Sequence, residues 1–316
     1  MVNEIYDTII IGGGVAALGA ALYSGRFQMK TLVIAENIGG TIMNTNEIAN
    51  YPGFEIISGM ELVDKLQKQA EKYGAKIEIV RVEKVEKENK KKVFTVKTND
   101  NTYIAKTVIF ATGTEWRKLN VPGEKEYAGK GVHYCALCDG AFYKDKVVVV
   151  VGGNDAAAKD ALLLAKYAKK VYIIYRKEEI RAEPITKSNV KNNKKIEIIK
   201  NTNVVEIRGN KFVDKVILDK AYKGSKEFPV DGVFIDIGHI PISGLAKGLG
   251  VKLDKKGEII VDREGFTNVK GVFAAGDVID TEFKQAITGV AEGVTAAYNA
   301  YHYIDKNNVI ERYFEE

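Results

Sequence analysis

The stretch "IIIGGGVAALGAALYSGRFQMKTLVIAE", residues 9–36, decides the fold. A β-branched run ends in three glycines, an alanine-rich segment follows, and a second β-branched run closes on a charged residue. This is a β-α-β unit: a strand, a glycine turn, a helix and a second strand. Residues 149–176, "VVVGGNDAAAKDALLLAKYAKKVYIIYR", repeat it without a gap at an offset of 140. After each copy comes alternating apolar and polar material, "KIEIVRVEKV" to "TVIFATG" in the first and "KIEIIKNTNVVEIRG" to "VDGVFIDIG" in the second. Both read as a short β-meander that returns to the sheet. A late apolar strand, "GVFAAGD" at 271–277, precedes one more helix. The expected class is therefore α/β, with two related three-layer dinucleotide-binding, Rossmann-like domains, the second inserted into the first.

Within the first copy, Gly12, Gly13 and Gly14 with Ala17 give the spacing G-x-G-x-x-G/A. The first glycine permits the tight turn, the second admits a pyrophosphate, and the small third residue lets helix and strand pack. Phosphate charge then sits at a helix N-terminus. Glu36, at the end of the next strand, is placed to accept hydrogen bonds from a ribose diol. The second copy keeps Gly152 and Ala157 but carries Asn154 where the second glycine belongs, and its Cβ is expected to crowd the pyrophosphate. Its second strand ends in Arg176, followed by Lys177 and Arg181, cations that suit a ribose 2′-phosphate. The competing reading of these three is a plain exposed basic surface.

At 316 residues the chain is long enough for two cores. Its 46% hydrophobic and 28% charged residues are ordinary for a globular protein. The net charge of +5, from 47 basic and 42 acidic side chains, is interleaved as in "RVEKVEKENKKK", which argues against a nucleic-acid stripe. The apolar run at 8–25 holds three consecutive glycines, has no basic flank before it and stops at Arg26, short of the ~20 residues of a membrane span. The expectation is a cytoplasmic protein with no membrane or nucleic-acid partner.

The order of these marks, with "ATG" at 111–113, "CALCDG" at 135–140 between the two units and "GVFAAGD" late, resembles the low-molecular-weight thioredoxin reductases over essentially the whole chain. That resemblance implies a discontinuous FAD domain of residues 1–117 and 246–316, and an NAD(P)H domain of residues 118–245 that carries the cysteine pair. Gly12 to Gly14, Ala17 and Glu36 would hold the FAD pyrophosphate and ribose. Gly39, Gly40, Asn50, Thr112 and Gly113 match stretches that line the flavin pocket. Asp277 would meet the ribityl chain or phosphates, with Gln285 and Ala286 at a helix N-terminus against the ring. NADPH would lie on the second unit, with Gly152, Gly153 and Ala156 near its phosphates and Arg176, Lys177 and Arg181 round the 2′-phosphate. The family's G-G-G-D-S-A and H-R-R-x-x-x-R stand here as G-G-N-D-A-A and Y-R-K-x-x-x-R. The donor is therefore open among NADPH, NADH and another carrier such as ferredoxin. The resemblance also implies a homodimer that reduces thioredoxin; a glutaredoxin-like or peroxiredoxin partner is the alternative.

Cys135 and Cys138 are the only cysteines. A zinc site would need His133 and Asp139 as further ligands, and four ligands so close in sequence make an awkward tetrahedron. A structural disulfide closing so small a loop removes little chain entropy. A redox couple is what C-x-x-C spacing serves, so redox chemistry is the expectation and no metal is. Asp139 beside the pair is placed as proton donor and acceptor, against the plainer reading of a cap; His133 reads as a packing or hydrogen-bonding residue. The rival from another class is a nucleotide-binding redox sensor without turnover.

Overall fold

A computed structural model describes residues 4–45, 48–88 and 92–314. In chain order the elements are β1 (Ile5–Ile11), α1 (Val15–Arg26), β2 (Thr31–Ala35), α2 (Gly59–Lys72), β3 (Lys76–Ile79), β4 (Val82–Glu88), β5 (Val93–Thr98), β6 (Thr102–Phe110) and β7 (Thr114–Trp116). Then come β8 (Val132–His133), α3 (Ala136–Asp139), β9 (Val147–Val151), α4 (Asp155–Tyr167), β10 (Lys170–Tyr175), α5 (Pro184–Asn192) and β11 (Ile196–Lys200). The chain continues through β12 (Val204–Gly209), β13 (Val213–Tyr222), β14 (Ser225–Pro229), β15 (Gly232–Ile235), β16 (His239–Pro241), α6 (Gly244–Gly248), β17 (Val272–Ala274) and α7 (Ala286–Phe314). Two compact units result, one of residues 1–115 with 240–316 and one of 116–239. The crossings thus fall at 115/116 and 239/240, where sequence reading put them at 117/118 and 245/246.

In the first unit the strand order is β3-β2-β1-β6-β5-β4, with β17 on the other side of β6. Strands β1, β2, β3, β6 and β17 run parallel, while β4 and β5 return antiparallel. The second unit has a parallel sheet β11-β10-β9-β15-β8 and a separate antiparallel sheet β12-β13-β14. The 140-residue repeat survives in strand register: Ile9 pairs with Leu32, and Val149 with Tyr172.

Both sheets are covered on two sides, which is why their central strands read as unbroken apolar runs. In the first unit Ile9, Ile11, Leu32 and Phe110 pack on one face, and Ile10, Val33 and Phe273 meet the alanines of α1 and α7 on the other. In the second unit Val148, Val150 and Ile173 face α4, whereas Val149, Val151 and Ile174 face the antiparallel sheet. Each such buried side chain contributes about 1.5–3 kcal/mol. Glycines set the approach of α1 to α7. A Cβ on Gly293 would lie 2.1 Å from the Ala16 carbonyl oxygen, and one on Gly19 2.8 Å from that of Val290.

Candidate active site

The first glycine turn links β1 to α1. Gly12 has φ +118°, and a Cβ there would sit 2.1 Å from the Ala111 carbonyl oxygen, so only glycine fits. Gly14 is the N-cap of α1, extended at φ −74° and ψ −179°, with no side chain bonding the helix N–H groups. A Cβ on Gly14 would meet nothing nearer than the Gly39 carbonyl oxygen at 3.9 Å. The helix end is therefore free of any side-chain cap, which leaves its amide donors available to an anion. Ala17 is fully buried beneath it. Glu36 is exposed just past β2, 3.7 Å from the Arg81 guanidinium.

Two distant segments meet in the same unit. Asn50 Nδ2 donates to Gln285 Oε1 at 2.9 Å across 235 residues of sequence. Gln285 directly precedes α7, and Ala286 is its first residue. The start of α7 is pinned from two sides: the Gln285 N–H donates to Thr288 Oγ1, and Lys284 Nζ donates to Glu258 Oε1 and to the carbonyls of Asp277 and Ile279. Asp277 lies in the short 3-10 turn Gly276–Val278 that follows β17. The Gly276 N–H donates to Glu292, whose carboxyl is held above its ordinary range chiefly by burial. Gly39 and Gly40 occupy the turn after β2 with φ +100° and +63°, and the Gly39 N–H donates to the Gly13 carbonyl. Thr112 and Gly113 are tied to the returning chain: Thr112 Oγ1 donates to the Ile242 carbonyl, and the Ile242 N–H to that of Gly113.

In the second unit, Cys135 and Cys138 form a disulfide, with Cα atoms 5.4 Å apart. Cys135 is the N-cap of α3, and its Sγ accepts from the Cys138 N–H at 3.1 Å. Asp139 precedes the 3-10 turn Gly140–Tyr143, but its side chain makes no capping hydrogen bond. It ends α3 and sets Oδ2 2.9 Å from Nδ1 of His133 on β8. His133 Nε2 lies 2.7 Å from the Tyr143 hydroxyl. Burial, then the charges of Asp139 and Asp231, push the Tyr143 phenol up to about 12. Next to the pair, Tyr134 donates to Glu124 and lies under the Lys118 ammonium, 3.5 Å from its ring centroid.

The second glycine turn opens on a cavity of about 570 Å³ lined by Gly152, Gly153, Asn154, Arg176, Arg181 and Arg117 among others. Among the described residues, Arg176 and Arg181 have no carboxylate partner. The Arg181 N–H donates to the Gly153 carbonyl, which brings it to the turn. Ala156 is exposed in the first turn of α4, and Lys177 follows Arg176; neither lines the cavity. Asn154, whose Cβ is expected to crowd a pyrophosphate, also engages its own helix end. Its backbone matches Gly14 (φ −83°, ψ −179°), but Oδ1 accepts from the Ala157 N–H at 2.7 Å and Nδ2 donates to Asp236 at 3.2 Å. The side chain thus occupies a helix donor that stays open in the first unit.

His133, Tyr143, Asp236, Glu292 and Lys284 were not singled out as site residues from sequence. The only available signal was a His and an Asp six positions apart around C-x-x-C, which becomes a contact only once β8 and α3 are folded. Among the described residues, no cluster suits a metal ion and no helix is long and apolar enough to cross a membrane.

The sequence model of the pyridine nucleotide-disulphide oxidoreductase family matches residues 6–293. The thioredoxin reductase of Listeria innocua is 42% identical over 307 residues, covering 96% of this chain and 95% of its own length. That of Bacillus subtilis is 40% identical, covering 96% of each. In three dimensions the thioredoxin reductase of Lactococcus lactis matches with a TM-score of 0.91 at 38% identity, over 95% of this chain and 99% of that one.

Proposed function

The chain belongs to the pyridine nucleotide-disulphide oxidoreductase family, and from that membership we propose that it is a flavin-dependent thioredoxin reductase. The Cys135–Cys138 pair would take electrons supplied by a bound FAD, with a reduced nicotinamide, NADPH, as the donor, and pass them to the disulfide of thioredoxin or a similar small dithiol protein. The observation that carries this reading is the disulfide between the only two cysteines with a hydrogen-bonded carboxylate, Asp139, directly beside it.

FAD, when bound, supplies an electron pair that opens a disulfide. The first unit offers what such a group needs. The open N-terminus of α1, with Gly12, Gly13 and Gly14 before it and Ala17 within it, receives a pyrophosphate, and Glu36 receives a ribose. Gly39, Gly40, Thr112, Gly113 and Asp277 belong to the turns that follow β2, β6 and β17. Gln285, held by Asn50, and Ala286 present the positive end of a long helix, which favours negative charge placed against it. In the second unit Gly152, Gly153 and Ala156 lie at the phosphate turn. Arg176 and Arg181, with Lys177 next in sequence, supply cations for a 2′-phosphate. Cys135 and Cys138 exchange the electron pair with the partner, and Asp139 holds or releases the accompanying proton.

A donor other than a pyridine nucleotide remains the second reading, and one observation favours it: the Asn154 carboxamide fills the donor position at α4. By family resemblance alone the enzyme is a homodimer of the cytoplasm, checked by sedimentation of the purified protein. The deciding experiment is anaerobic bleaching of the bound flavin by NADPH, NADH and reduced ferredoxin. NADPH is expected to bleach it fully and support thioredoxin reduction. Colourless protein, or turnover that survives Cys138→Ser, would overturn the assignment.

A further inference from the structure

Resting on the reading of Cys135–Cys138 as the redox couple, we propose that His133 is a positioning residue for it. His133 joins Asp139 in a proton-holding pair, and Tyr143 keeps that pair bonded in both of its protonation states. The imidazole is only 9% exposed, set on β8 by pairing with β15 at Phe234 and stacked on the Phe234 ring at 5.2 Å. Asp139 from α3 faces Nδ1 and Tyr143 from the next turn faces Nε2. The third charged group is Asp231, ahead of β15, which acts on Tyr143. Tyr143 itself is locked, its ring filling the space above Gly232, where a Cβ would come within 2.3 Å of it.

A hydroxyl both donates and accepts. With neutral imidazole, Nδ1–H donates to the Asp139 carboxylate and the Tyr143 O–H donates to Nε2. With imidazolium, Nδ1–H still donates to Asp139 and Nε2–H donates to the Tyr143 oxygen. The added proton exchanges one hydrogen bond for another at the same contact, so both ring nitrogens stay bonded in this buried site. A phenol held near 12 stays protonated throughout and never becomes a competing base.

This capacity matches the exchange step. One enzyme thiolate attacks a sulfur of the partner's disulfide, breaking the partner's S–S bond and forming a mixed disulfide. The remaining enzyme thiol gives its proton to the Asp139–His133 pair. As a thiolate it then displaces the partner's second sulfur, re-forming Cys135–Cys138. The enzyme pair loses two electrons, the partner gains two, and the proton held by the pair passes to the partner's leaving sulfur. Protonated, the pair carries no net charge and favours a nearby thiolate; a bare carboxylate opposes one.

The test is the pH profile of alkylation by iodoacetamide in the reduced holoenzyme, comparing wild type with His133→Asn and Tyr143→Phe. Asparagine still donates to Asp139 but holds no proton. His133→Asn is expected to raise the thiol's apparent titration by about one unit, lowering the alkylation rate near neutrality by ~10-fold. Tyr143→Phe keeps the ring and removes the hydroxyl, and is expected to shift the profile the same way by less. A purely structural role for His133 would change stability or flavin content without moving the profile. Profiles that superimpose on wild type would overturn the inference; should His133→Asn fail to fold, a Tyr143→Phe profile identical to wild type would do so alone. Turnover of Cys138→Ser, measured separately, tests the redox assignment itself.

Discussion

The two glycine turns, built from one repeated pattern, differ at two equivalent places. In both, the first glycine is held against a carbonyl oxygen: Gly12 against that of Ala111, where a Cβ would lie 2.1 Å away, and Gly152 against that of Asp236, at 1.9 Å. Those carbonyls belong to the residues that follow the matching strands β6 and β15. So the backbone of the turn is preserved while the side chains around it are not. Gly14 leaves its helix end open, whereas Asn154 caps its own. Ala111 is inert, whereas Asp236 buries a carboxyl that binds the Asn154 carboxamide. The lesson is that a phosphate-binding turn can keep its shape and still lose availability, because shape resides in the first glycine and availability in the second.

The sharpest way to break this comparison is at the shared element. Gly12→Ala and Gly152→Ala each drive a methyl into backbone at positive φ, a cost of about 3 kcal/mol or more. Gly12→Ala should lose at least nine-tenths of bound flavin, read as the visible-to-ultraviolet absorbance ratio, whereas Gly14→Ala has room and should retain the fold. Equal thermal midpoints in the two variants would show that the first glycine is not what shapes the turn. Next in size is Arg176→Ala. Removing a charged donor from a phosphate contact costs about 2 kcal/mol, so NADPH binding by titration calorimetry should weaken ~30-fold with NADH nearly unchanged. Equal weakening of both would move the 2′-phosphate contact elsewhere.

Much of this contrast was legible in the sequence, because a glycine turn between β-branched runs is a local pattern. The repeat at 140, the late strand β17 and the isolated C-x-x-C needed no tertiary information. Contacts across many residues did not declare themselves. Asn154 meets Asp236 over 82 residues and Asn50 meets Gln285 over 235, so neither partner carries a local mark of the other. The Asn154 substitution reads as crowding of a pyrophosphate because sequence shows that a Cβ is present. It does not show that the backbone there is extended and that the amide turns back onto its own helix. His133 reads as a packing or hydrogen-bonding residue, without the partners. Its stacking on Phe234 is packing, and only folding reveals that both ring nitrogens are also engaged.

Asn154→Gly sharpens the comparison by making the second turn like the first. An Asn-to-Gly change at an N-cap costs only a few tenths of a kcal/mol, and it frees the Ala157 N–H for a phosphate oxygen. Nucleotide affinity should rise about fivefold, the worth of one such hydrogen bond. A fall in affinity would mean that Asn154 itself contacts the nucleotide, and the cap would then be an apo-state arrangement rather than an obstacle.

The smallest effect comes from Asp236, whose carboxyl burial pushes above its ordinary range against the lowering effect of the Asn154 hydrogen bond. Asp160 on α4 is pushed well above its own, by burial and then by the Asp236 charge. The sign follows from proton counting. Between the ordinary carboxylate range and the raised native value, the folded chain keeps a proton that the unfolded chain has released. Stability contributed by Asp236 is therefore complete below the ordinary range, falls as pH rises through that window, and is flat above it. Asp236→Asn removes this loss and also relieves Asp160 of a neighbouring charge, so its thermal midpoint should gain on wild type progressively as pH rises. Other acids, such as Glu292 in the first unit, titrate equally in both proteins and cancel from the difference. Ala111, at the matching place in the first unit, has nothing to titrate, so a midpoint difference independent of pH would erase the distinction drawn between the two turns.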